Sequence, residues 1–219
     1  MNANRFVNTW TQAGGSAVRA RHIYSQVFEH YAEPGRHYHT PQHITHCLNK
    51  LDTIAHLFED RWSAELAIWF HDVIYVIGGK DNERQSARFF LECSREQLNN
   101  GRRRRVSRHI LATIHPSDPS DPDSRLLVDV DLSSFALPWP QFLRDSANVR
   151  REAASQCTAL EYAQRQHRFL TSLHESPHFF LTEHFRKHHE PQARENITKL
   201  MALLSARQAG GDSPPVRTH

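Results

Sequence analysis

Apolar residues along this chain repeat at intervals of three and four, and strict alternation is rare, so the pattern predicts helices almost throughout. Ile44, Leu48, Leu51, Ala55 and Phe58 make one stripe, with Thr40 as the N-cap and Pro41 as the first helical residue. A second helix begins after Ser63. Leu66, Ala67, Ile68, Trp69, Phe70, Val73 and Ile74 cover its whole circumference, which places it at the centre of a bundle. "IGGKD" breaks the chain, and Asp81 is placed to cap a third helix with Ala87, Phe90 and Leu91 inward. Val106, Ile110, Leu111 and Ile114 mark a fourth, and further helices fall near 139–155, 158–174, 178–188 and 191–207.

Two segments resist the pattern. "HPSDPSDPDS" is a polar, proline-rich loop, and "RLLVDVDLSSFAL" alternates like a strand among helical neighbours. The expected architecture is an all-α, single-domain helical bundle over residues 1–208, followed by a frayed tail over 209–219.

Composition changes this picture little. The 219 residues are 38% hydrophobic and 23% charged, as in ordinary globular proteins. No apolar run reaches the roughly 18 residues of a membrane span, and the N-terminus lacks the pattern of a secretion signal. Cys47, Cys93 and Cys157 are widely spaced and in no CxxC pair, which fits reduced thiols and a cytoplasmic location. A net charge of +3 gives little reason to expect nucleic acid as a partner.

Chemistry enters with the 17 histidines. "YHTPQHITH" puts three of them around a helix start, and the all-apolar helix ends in His71-Asp72. A buried imidazole–carboxylate pair is costly unless a charge holds it. His43, His71, Asp72 and Asp129 together suit a divalent ion such as Mn, Fe, Co or Zn. Adjacent side chains diverge by roughly 100° on a helix, so His71 and Asp72 can share an ion only at the helix end.

These residues resemble the H…HD…D signature of the HD-domain phosphohydrolase superfamily. "RHYHTPQHI", "AIWFHDVIY", "DNERQSA", "ILATIH" and "LLVDVDLSSF", with the later "VRREA" and "ARENI", are similar to a family of predicted metal-dependent HD phosphohydrolases. The resemblance implies one or two ions (Mg joining the metals above) held by His43, His71, Asp72 and Asp129. Asp131 would lie behind Asp129 or bind through water. Asp72 would accept the proton of a metal-activated water. His39, Asn82, Glu83 and His115 are candidates to orient water or bind a second ion. Arg36, Arg150 and Arg165 are candidates to grip phosphate. The implied substrate is a small phosphorylated metabolite, a nucleotide or pyrophosphate-bearing nucleotide. Alternatives are an HD-type di-iron oxygenase and a non-catalytic nucleic-acid binder. Oligomeric state stays open, a homodimer included.

Other readings weigh less. "LLVDVDLSS" resembles an aspartyl-phosphate motif, but that motif needs a parallel sheet. As a calcium loop it has Ser134 where glycine is required and Pro140 where glutamate is required. "GRRRRVSR" reads first as a solvated helix start and second as an anion-steering patch. His46 shares a helix face with His43. His184 and His188 read as a surface patch, and the four tryptophans as core or rim aromatics.

Overall fold

A computed structural model describes residues 1–115 and 118–210, with side chains through 206. It is all helical, and no strand occurs among the described residues. Helix α1 spans Ala3–Gln12, α2 Ala17–Tyr31, α3 Pro41–Thr53, α4 Arg61–Phe70, α5 Asn82–Cys93, α6 Asn100–Ala112 and α7 Pro122–Leu132. Then come a 3₁₀ turn at Ser133–Ala136, α8 (Trp139–Ala153), α9 (Ala159–Glu175), α10 (Glu183–His188) and α11 (Glu190–Gly210).

Local chemistry sets these boundaries. Thr40 accepts from the Gln42 amide and Pro41 opens α3, as the cap pattern predicts. Asp60 caps α4 through the Ser63 amide, starting that helix slightly earlier than the apolar run suggests. Asp81 occupies the N-cap position of α5, but its carboxylate accepts from Gln85 instead of a backbone amide. Gly78 adopts φ +77°, a conformation L side chains rarely take. At Gly79 a Cβ would sit 2.8 Å from the Asn82 side chain and 2.9 Å from the Val76 carbonyl, so the turn after His71-Asp72 requires glycine.

Every residue of α4 from Ser63 to Phe70 is buried, and α1, α3, α5, α6 and α7 pack around it. Phe6 and Trp10 of α1 lie against Trp69 and Phe70. The hydrophobic pattern did not predict α1 and α2, which fill one side of this core. The C-terminal helices gather around α11, which meets α8, α9, α10 and the 3₁₀ turn.

Two expectations need correction, and one ambiguous segment is resolved. "RLLVDVDL", which alternates like a strand among helical neighbours, is helix. Asp121 caps it through the Ser124 amide, and it is buried on most sides, which erases the helical period and mimics alternation. The element expected at 178–188 is helical only from Glu183. Ala209 and Gly210 continue α11, while 211–219 lie outside the described residues.

None of the three cysteines is in a disulfide. No described helix is long and apolar enough to cross a membrane.

Candidate metal centre

His71 is the C-cap of α4, its amide donating to the Ala67 carbonyl, so Asp72 falls where the helix has ended. The buried carbonyls of Asp72 and Val73, left without helical partners, accept from Arg36 at 2.7 and 2.8 Å. The Asp72 amide donates to the Tyr31 hydroxyl. This bend lets adjacent side chains face one point.

Three helical segments deliver ligand atoms to that point. His43 comes from the first turn of α3, His71 and Asp72 from the end of α4, and Asp131 from the last turn of α7. One ligand atom from each lies within 4.8 Å of the others. The Nε2 atoms of His43 and His71 are 3.2 Å apart, and Asp131 Oδ1 stands 3.2 and 3.3 Å from them. Asp72 Oδ2 is 3.0 Å from His71 Nε2 and 3.6 Å from His43 Nε2.

The hydrogen bonds orient these groups inward. His71 Nδ1 sits 2.9 Å from the Ile68 carbonyl, so it carries the proton there and turns Nε2 toward the cluster. Burial opposes charge on His71, but Asp72 and Asp131 outweigh it and hold its pKa well above the ordinary histidine value. Burial likewise opposes ionising Asp72 and Asp131, yet the neighbouring imidazoles, His71 above all, hold both carboxyls below their usual range. Two carboxylates held ionised in a confined space call for positive charge beside them, which a proton on His71 supplies when no ion is bound. A divalent cation fits that role and this donor set: two imidazole nitrogens and two carboxylate oxygens.

The carboxylate from "DVD" is Asp131, which corrects the expectation for Asp129. On a helix, positions two apart point in nearly opposite directions. Asp129 is fully buried on the other face, where its oxygens accept from the amides of Leu181 and Thr182 at 2.7 and 2.8 Å and from the Thr182 hydroxyl. It braces the turn before α10.

His39 stands at the edge of the cluster, its Nε2 3.9 Å from Asp72 Oδ2. Glu152 of α8 holds it there. One Glu152 oxygen is 2.7 Å from His39 Nδ1, and the other accepts the amides of His37, Tyr38 and His39. The His39 ring stacks on Tyr75, with centroids 3.9 Å apart. His115 Nε2 lies 3.3 Å from Asp131 Oδ2, beside the quartet and outside it. A cavity of about 180 Å³ opens on these groups, with Glu83, Thr113 and Ser134 in its wall.

Several other expected residues have different work. Asn82 serves the turn: its Oδ1 accepts the Val76 amide and its Nδ2 donates to the Val76 carbonyl, and it does not line the cavity beside the cluster. The Arg36 guanidinium is buried and spent on the two carbonyls, the His39 carbonyl and Glu33, so it shapes the bend and does not grip phosphate. Arg150 and Arg165 are exposed and neither lines the cavity beside the cluster; Arg165 borders a different, apolar cavity. His46 hydrogen-bonds Ser133 instead of joining the quartet.

The arginine run lines neither the quartet nor its cavity. Arg102 and Arg105 pair with Asp60, and Arg103 donates to the Leu91 carbonyl and Ser94. His184 and His188 face one another at 4.9 Å between ring centroids and are not members of the quartet.

Sequence reasoning missed Tyr38, Tyr75, Thr113, Ser134 and Glu152. Glu152 lies within "VRREA", but nothing in its spacing says that it reaches His39, 113 residues away.

No family model matches this chain, and no curated protein and no solved structure matches it either.

Proposed function

We propose that this chain is a metal-dependent phosphohydrolase of the HD-domain type, acting on a small phosphorylated metabolite such as a nucleotide. The observation that supports it is the convergence of His43, His71, Asp72 and Asp131 from three helical segments beside an open cavity. When bound there, a divalent ion lowers the pKa of water and polarises a phosphoryl oxygen.

The chain's own residues supply the rest. His39 faces the cavity with Nε2 free of Glu152, and it exchanges the proton taken from water or given to the leaving oxygen at that atom. Glu152 keeps the ring in position. His115 steadies the second oxygen of Asp131. Glu83, in the same wall, offers a second carboxylate for positioning water.

The test is metal analysis of the purified protein, then phosphate release from a panel of phosphorylated metabolites with and without Asp72→Ala. Metal-dependent release that the variant loses, with helical content retained, is the expected result. Release undiminished in Asp72→Ala refutes the assignment.

His39 and His115 flank the quartet at 3.9 and 3.3 Å, and this favours one second reading, a di-iron oxygenase. Bound iron with a visible absorption band, and oxygen uptake without phosphate release, would establish it in place of hydrolysis.

A further inference from the structure

A second cavity, of about 250 Å³, lies between α8, α9, α11 and the 3₁₀ turn. Its character is opposite to that of the metal centre. Phe135, Phe142, Val149, Phe169, Leu170 and Leu200 supply most of its wall. Its two charged residues are Asp145 and Arg165, one of each sign. Gln166 and Ser146 already hydrogen-bond each other at 3.1 Å, leaving few polar groups to receive a ligand's own. Water gains little in such a space, and apolar surface placed there is stabilised by about 25 cal/mol per Å² removed from solvent.

The two cavities share a wall. Tyr38, Ser134 and Phe135 line both, and within that wall the Tyr38 hydroxyl lies 2.8 Å from Ser134 Oγ. A molecule presenting phosphate to the histidine cluster therefore has an apolar space next to it. Fixed phosphate-binding cations are absent from the apolar wall apart from Arg165, which Asp145 offsets.

We infer that this cavity binds an uncharged, largely apolar group, aromatic or aliphatic, and that it receives the organic part of a phosphate ester hydrolysed at the neighbouring cluster. The phosphate half of the statement rests on the phosphohydrolase reading; the cavity half does not. Its size, below the roughly 300 Å³ of ordinary ligand pockets, suits a group of one or two rings or a short alkyl chain.

The test separates the two halves by titrating the full chain with 2-naphthol, which has no phosphate, and assaying 2-naphthyl phosphate against methyl phosphate. Val149→Trp fills the cavity, and Phe169→Ala, at a residue 46% exposed and so tolerant of change, opens its outer wall. The expected result is saturable 2-naphthol binding, weakened at least tenfold by Val149→Trp and several-fold by Phe169→Ala. The kcat/KM preference for naphthyl over methyl ester should shrink in parallel, with methyl phosphate turnover unchanged. No 2-naphthol binding, or binding indifferent to both substitutions, overturns the inference even if both esters are hydrolysed. Binding lost in the variants, with no ester hydrolysed at all, supports the apolar site and overturns its role in receiving the organic part of a hydrolysed ester.

Discussion

Asp129 and Asp131 are two residues apart on one helix, the first fully buried and the second half-buried at the cavity wall, and they live in opposite chemical worlds. Asp129 is met by amide and hydroxyl donors from a single turn, which satisfy both its oxygens. Asp131 is met by ring nitrogens of His43, His71 and His115, and it shares their space with a second carboxylate, Asp72. The first arrangement is complete without a ligand. The second gathers two carboxylates and three imidazoles around one point, a group that could hold a cation. Burial alone therefore says little about the role of a buried acid; its donors decide it.

That contrast can be broken from either side. Outside the quartet itself, the largest effect on activity is expected at Glu152, which positions His39. Glu152→Gln should lower phosphate release about 10–100-fold, the range for removing a partner that orients an active-site histidine, while bound metal per chain stays unchanged. Loss of metal along with activity would place Glu152 in the ion's own environment.

Next comes stability at the braced turn. Asp129→Ala strands partly buried donors at Leu181 and Thr182, each costing at most about 1–3 kcal/mol, and every kcal/mol lowers Tm by about 2–4 °C in a chain of this size. A thermal melt showing no change would mean that the turn finds other partners. Chelation acts on the other pole: EDTA should lower the Tm of the wild type, since an ion bound only by the folded state stabilises it by mass action.

The smallest effect concerns acid. Burial, Lys50 and the neighbouring His184 and His188 push His189 down to about 4. Between about pH 6.5 and 4 the unfolded chain binds a proton that the folded chain refuses, so this histidine makes stability fall as pH falls through that window. His189→Gln should flatten that limb slightly in melts taken from pH 7 to 4. An unaltered limb would assign it to other groups.

How much of this was readable beforehand follows from where each residue finds its partner. The Thr40-Pro41 start of α3, the all-apolar α4 and the His71-Asp72 pair at its end are governed by neighbours in sequence, and they stood out as motifs. Choosing Asp131 over Asp129 depends on how α7 is rotated, and that is set by a turn some 50 residues downstream. Arg36 looked like a free phosphate grip because the carbonyls it serves lie 36 and 37 residues away, at a bend visible only in three dimensions. The apolar cavity joins side chains of α8, α9 and α11, helices whose approximate ranges were readable but whose mutual packing was not. The sequence marked the chemistry of the cluster, and packing chose its members.

The most direct test of that choice is a metal titration of three proteins: wild type, Asp129→Asn and Asp131→Asn. With Mn²⁺ or Zn²⁺ followed by calorimetry, wild type and Asp129→Asn should bind with the same stoichiometry and closely similar affinity, while Asp131→Asn should lose the site. Retained binding in Asp131→Asn together with loss in Asp129→Asn would contradict the account.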